Sequence, residues 1–341
     1  MSQPKITALA LHYVGNQAND EPFLLSKKPF TLDSEMNQLL TDWFIGAFKS
    51  EERYHFHDTI DLNYNRVYQI VSSIFDNPDR FFDCSVDLAT FLYENCDHPK
   101  IKGGDFYVVR FEGQSIGTDS CDAIGLFKIE NKETYITVEP DEDGFDISQL
   151  QGVNLRKMDK GCLILNHERE QGYYVMVVDN TNRSEAAYWV DDFLHLERRQ
   201  DAYFQTENAL TVCRNYLAEQ FPTDFEVNRA DQADLLNRSL EFFKKEPKFQ
   251  METFERQVIA QPEVIDKFDE YRKRYQDERQ IVLEDSFDVN PTAVRKQTRA
   301  FKSVIKLDKN FHIYIHGNRD LVEQGEDSRG KFYKLYFKEE S

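Results

Sequence analysis

Six short runs between Asp105 and Asp179 constrain the fold more than any other feature of the chain: DFYVVRFEG, AIGLFKIE, TYITVEP, GVNLRKM, GCLILNH and YYVMVVD. Each is seven to nine residues rich in β-branched, aromatic and other apolar side chains, and Gly, Asn and Asp turns separate them. With connections this short, successive strands must reverse direction. A parallel, doubly wound sheet would need a crossover helix between each pair, so the pattern predicts an antiparallel meander. The acidic stretch PDEDGFD, at 140–146, reads as a loop within it.

Helices flank this block. ITALALHYV at 6–14 reads as a strand, after which Asp33 or Ser34 caps a helix with Met36, Leu39, Leu40, Trp43 and Ala47 on one face. Two more helical patterns follow, around 64–76 and 79–96. From Asp201 the period is helical again. Leu210, Cys213, Leu217 and Phe221 form one stripe, Leu236, Leu240 and Phe243 a second, and Val264, Phe268, Tyr271 and Tyr275 a third. The last of these helices starts well at Pro262 and carries Arg272, Lys273 and Arg274 late, where the helix dipole favours cations. A short helix at about 292–301 leads into the strands VIKL, FHIYIHG and KFYKLYF. The predicted class is α+β. The chain of 341 residues exceeds one average domain, and the predicted division is an α+β domain at 1–200, a helical domain at 201–285 and a small β-containing region at 286–341.

Charge divides the chain at similar places. Residues 1–200, 201–290 and 291–341 carry −15, −8 and +4, which make up the net −19. Only the tail is basic. Between Pro291 and Asn310 there are six Lys or Arg and one acid. In a helix over 292–302, Arg295, Arg299 and Lys302 share a stripe, Lys296 flanks it, and Val294, Gln297 and Phe301 lie opposite. Lys306 and Lys309 carry the charge onward. Two readings are open for this stripe: a solvated face paired with the acidic bulk of the same protein, or a surface that contacts nucleic-acid phosphates.

Other constellations are weaker. His55-Phe56-His57 and His312-x-x-x-His316 each offer two imidazoles and no third ligand at a diagnostic spacing, so no metal site is predicted. Asp122 with Glu130-Asn131-Lys132 resembles the two carboxylates and lysine of metal-dependent nucleases at too short a spacing. Gly113, Gly117 and Gly125 form no phosphate-binding loop. Neither a catalytic residue nor a cofactor is predicted. Cys84, Cys96, Cys121, Cys162 and Cys213 include no CxxC pair and read as reduced core thiols. No run of about 18 apolar residues occurs and the first residues lack a signal-peptide order, so the chain reads as soluble and intracellular. A homodimer is predicted from the prevalence of two-fold assemblies.

KITALALHYVG, then MDKGCLILNHEREQGYYVMVVDNTNRSEAAYWVDDFLHL, then VNPTAVRKQTRAFKSVIKLDKNFHIYIHG, taken in this order, resemble the bacterial nucleoid-associated protein family of about 37 kDa over nearly the whole chain. The resemblance implies a cytoplasmic protein on the nucleoid, with affinity for double-stranded DNA and contact with nucleoid enzymes such as topoisomerase, and it transfers no catalytic residue. Combined with the charge pattern, it assigns DNA-backbone contact to Arg295, Lys296, Arg299, Lys302 and Lys306. The acidic body also suits a protein that binds nucleoid enzymes without holding DNA tightly.

Overall fold

The computed structural model describes residues 4–142, 144–181, 187–301, 304–307, 309–314 and 321–339. The chain forms two compact units, Met1–Arg199 and Gln200–Ser341.

In the first unit the elements run β1 (Lys5–Val14), β2 (Phe23–Leu24), α1 (Ser34–Gly46), β3 (Tyr54–Phe56), α2 (Arg66–Asp76), α3 (Phe81–Glu94), β4 (Gly104–Ile116) and β5 (Asp119–Ile129). They continue with β6 (Glu133–Asp141), β7 (Gly144–Gly152), β8 (Lys160–Leu165), β9 (Tyr174–Asp179) and β10 (Leu196–Arg198). The main sheet is antiparallel, ordered β10-β3-β9-β8-β5-β4-β1-β2. The class is therefore α+β, as the short turns require.

Both faces of the central strands are covered, which explains why β5 reads as a continuous apolar run rather than an alternating one. Ile124 and Leu126 join Val71, Ile74, Leu88 and Leu92 of α2 and α3 on one face. Ala123, Phe127 and Ile129 join Trp43 and Phe44 of α1 on the other. Gly125 sits where the rings of Phe111 and Phe127 close in, and a Cβ there would lie 2.4 Å from the Phe127 ring. Gly113, with φ +75°, serves the irregularity between Phe111 and Gln114, and Gly117, with φ +56°, serves the β4–β5 turn. These three glycines are structural.

Three local readings need correction. The inward side of α1 is one residue further on than its apolar pattern suggests. Asp33 caps it as predicted, accepting from Met36 N at 2.8 Å, but Met36 and Leu39 are exposed while Thr41 and Phe44 are buried. Hydrogen bonds explain the polar inward positions, because Asn37 donates to Ile6 O at 2.8 Å and Thr41 to Asn37 O at 2.7 Å. Second, TYITVEP lies outside the main sheet: β6 and β7 form a separate two-stranded ribbon, and PDEDGFD supplies the ends of both strands, with Glu139 opposite Asp146 and Pro140 opposite Phe145. Third, GVNLRKM is a turn after Gly152, because Asn154 Oδ1 accepts from Arg156 N at 2.9 Å and Asn154 O from Lys157 N at 3.0 Å.

The second unit comprises α4 (Ala202–Asn215), a π-helical turn at Tyr216–Gln220, α5 (Phe221–Asp224), α6 (Arg229–Lys245), β11 (Lys248–Gln250), α7 (Met251–Phe254), a second π-helical turn at Glu255–Ile259, and α8 (Pro262–Arg279). After these come β12 (Ser286–Asp288), α9 (Pro291–Gln297), β13 (Val304–Leu307), β14 (Phe311–Tyr314), β15 (Val322–Asp327) and β16 (Gly330–Leu335). All three predicted stripes contribute to one core that also takes Leu283, Phe287, Val294 and Phe301. At its centre Phe249 stacks between Phe243, at 5.1 Å, and Phe287, at 4.8 Å, as β11 pairs with β12. A smaller cluster seats Ile305 and Val322 on Ala230 and Ala233 of α6.

Candidate nucleic-acid interface

The sequence NPTAVRKQTRAF determines how α9 sits. Asn290 Oδ1 accepts from Thr292 N at 2.9 Å and Ala293 N at 3.0 Å, and Pro291 takes the first helical position, where no donor is needed. The Asn290 N–H donates to Thr206 Oγ1 at 2.9 Å, which ties the cap to α4. Ala293, Val294 and Phe301 are buried. Arg295, Lys296 and Arg299 are exposed on the remaining surface, Arg299 in a 3₁₀ turn at Thr298–Ala300 that continues the helix. The α-helix ends at Gln297, short of the predicted 292–302, so Arg295 lies in α9 and Arg299 in the 3₁₀ turn after it.

The cations differ in their surroundings. Lys296 Nζ donates to the Tyr203 hydroxyl at 3.0 Å and lies 3.7 Å from Glu207 Oε1, so it is drawn back onto α4. Arg295 donates to its own turn, at Thr292 Oγ1, 3.0 Å away. Lys306 is exposed on β13, in register with His312 of β14, and Lys309 is exposed in the turn between those strands. Lys302 lies outside the described residues.

A feature that the charge stripe did not reveal adjoins Arg295. A cleft of about 490 Å³ is lined by Lys244, Lys245 and Arg295, by Glu246, and by apolar groups that include Phe243, Val289 and Val294. Lys244 and Lys245 end α6, where the helix dipole favours cations, and both are exposed. Lys244 pairs with Glu241 at 2.9 Å. The doublet FFKKEPK signals this position in the sequence, but only the packing of α6 beside α9 brings it to Arg295.

The other constellations are dispersed or occupied. Asp122 accepts from Arg110 at 2.8 Å near one end of β5, whereas Glu130 follows its other end and accepts from the Tyr188 hydroxyl at 2.7 Å. Lys132 pairs with Asp105 at 2.9 Å. The nuclease-like trio is thus spread along a strand and already paired. The rings of His55 and His57 are 6.5 Å apart, and His57 Nδ1 is 3.4 Å from Glu197. Burial holds the His55 pKa below the usual value, opposed by Glu197. Among the described residues no three His, Cys, Asp or Glu side chains converge as a metal site, and His316 lies outside them. The five cysteines are free thiols.

The family model described as nucleoid-associated protein YejK matches residues 10–329. The chain belongs to this family. The match spans both units, so the resemblance carried by the three sequence blocks extends through the cleft and α9. As a nucleoid-associated protein it has no described helix long and apolar enough to cross a membrane. No curated protein matches the chain.

Proposed function

We propose that this nucleoid-associated protein binds double-stranded DNA through its phosphate backbone, with little regard to base sequence, at the cytoplasmic nucleoid. The contact residues are Arg295, Lys296, Arg299, Lys302 and Lys306, in the basic region 286–341, and the protein acts as a homodimer. The observation that carries the reading is the two-sidedness of α9 and the 3₁₀ turn after it: Val294 and Phe301 anchor this segment in the core, while Arg295 and Arg299 face solvent. Guanidinium groups held this way reach phosphate oxygens at little cost in order, because the helix is already fixed. Long-range repulsion from the acidic body is screened over about 10 Å at ordinary salt, so a local cationic surface still attracts a polyanion. The test is a titration of duplex DNA against the protein at several salt concentrations. A strong loss of affinity with salt is expected, and insensitivity to salt would contradict the reading.

A net charge of −19 and the hold of Glu207 on Lys296 favour a second reading: an acidic protein that binds nucleoid enzymes such as topoisomerase without tight contact to DNA. The same titration separates the two, since on this reading bare DNA shows no specific salt-dependent binding.

A further inference from the structure

Among the described residues nothing covers the apolar face of the β6–β7 ribbon. A two-stranded ribbon is marginal in water by itself, yet this one exposes Ile136, Val138, Phe145 and Ile147 along one face, at 69%, 57%, 76% and 68%. Val138 lies opposite Ile147, and Pro140 opposite Phe145, so these side chains make one apolar strip. From Glu133 to Gly152 the sequence has six acids and no Lys or Arg. Among the described residues no strand pairs with the outer edge of β7, and β7 carries neither the lysine nor the proline that commonly guards an edge.

Two acid-free basic runs offer the opposite chemistry, and the one at 289–307 buries its Val294, Phe301 and Ile305. RGKFYKLYFK, from Arg329 to Lys338, holds four cations, no acid and five large apolar or aromatic residues. Phe332, Leu335, Tyr336 and Phe337 are exposed. Most of this segment is β16, which pairs on one side with β15, and no described strand pairs with its other edge.

We propose that the acidic ribbon of one copy of this chain takes the basic, aromatic β16 segment of a second copy, and that a two-fold dimer makes this contact twice. Charge complementarity selects the occupant: the run's four cations, one of them Lys334 already 3.4 Å from Glu323 of β15, meet the ribbon's six acids, one of them Glu133 already 2.7 Å from Lys157. The apolar strip and the aromatic side chains supply the buried area, and the two open edges supply backbone partners. Pairing ribbon with ribbon would set acid against acid. The inference rests on the homodimer reading above and is independent of the DNA contacts.

Light scattering and sedimentation on the full chain test it. The wild type is expected at twice 40.3 kDa. A ribbon reversal, D141K/E142K/D146K, and a β16 reversal, K331E/K338E, are each expected to weaken association at least roughly tenfold. An equimolar mixture of the two reversed proteins is expected to restore the dimer mass, since each then offers what the other lacks. F145S/I147S, which removes apolar side chains only, is expected to dissociate the dimer with an unchanged thermal melt, and it serves if a reversal does not fold. A monomeric wild type overturns both the homodimer and this contact. A dimer that survives the reversals, or a mixture that stays monomeric, overturns the contact alone. Loss of DNA binding without loss of dimer in K331E/K338E also overturns it and assigns β16 to DNA.

Discussion

Lys296 Nζ donates to the hydroxyl of Tyr203 at 3.0 Å, with its ammonium 5.6 Å from the centre of the same ring. The link crosses from α9 to α4 and holds one of the basic side chains close to Glu207. Arg295 and Arg299 have no such tether to an acid among their described contacts. The basic face is therefore uneven: K296A is expected to weaken DNA binding less than R299A, and to change stability by less than about 1 kcal/mol. Fluorescence anisotropy on the two variants, with melts as controls, checks the order.

His12 is a neutral imidazole inside the first unit. Its Nδ1 accepts from Ser26 N at 3.2 Å, which places the proton on Nε2, 3.0 Å from Ser85 Oγ, and Ser85 donates to Phe82 O at 2.6 Å. Burial lowers its pKa to about 4. In the unfolded chain the group protonates near 6.5, so between that pH and about 4 only the unfolded state gains a proton. Stability should thus be unaffected by His12 above pH 7 and fall as pH drops from 6.5 towards 4, by up to roughly 3 kcal/mol. Urea melts of wild type and H12Q at pH 7 and pH 5 isolate this part of the acid sensitivity.

Lys128 and Lys160 are fully buried and directly opposite each other on β5 and β8. Asp179 holds Lys160 at 2.9 Å, and Lys128 donates to Lys102 O at 2.7 Å and to the Tyr188 hydroxyl at 3.0 Å, 3.5 Å from Glu130. Burial and the Glu130 charge push the Tyr188 pKa well above its usual value, so it stays a donor to Glu130. E130A leaves a buried ammonium without its carboxylate and is expected to cost about 3–5 kcal/mol. Adding K128M should recover much of that loss. Denaturant midpoints of the single and double variants provide the comparison.

Gly125 has no room for a methyl group beside the Phe127 and Phe111 rings. G125A is expected to lose about 1–3 kcal/mol by forcing those rings apart, with no effect on DNA affinity of the folded protein. A thermal melt paired with one binding isotherm checks both halves.

Much of this architecture is legible in the sequence wherever burial is one-sided. Leu210, Cys213, Leu217 and Phe221 all reach the core of the second unit, because nothing but packing decides their side of the helix. The pattern misleads where a hydrogen bond lets a polar group face inward, as Asn37 and Thr41 do in α1. It also misleads where acids occupy a strand, as in the β6–β7 ribbon, since Asp, Glu and Pro are poor strand formers. β15, VEQGED, is hidden for the same reason. Of the candidate interface, the sequence shows Arg295 and Arg299, which are close in chain. Lys244 and Lys245 join Arg295 through packing of segments some fifty residues apart, and no local pattern records that.

The central claim is that the exposed cations of the basic tail neutralise DNA phosphates, and the salt dependence of duplex binding measures it most directly. Five contacts predict that log K falls against log salt with a slope of about −4.5, nearly the same for unrelated sequences. R295E/R299E, with a melt like that of the wild type, should bind far more weakly with a slope of about −2.7 or shallower. A folded double variant that keeps both the affinity and the slope of the wild type would contradict the account.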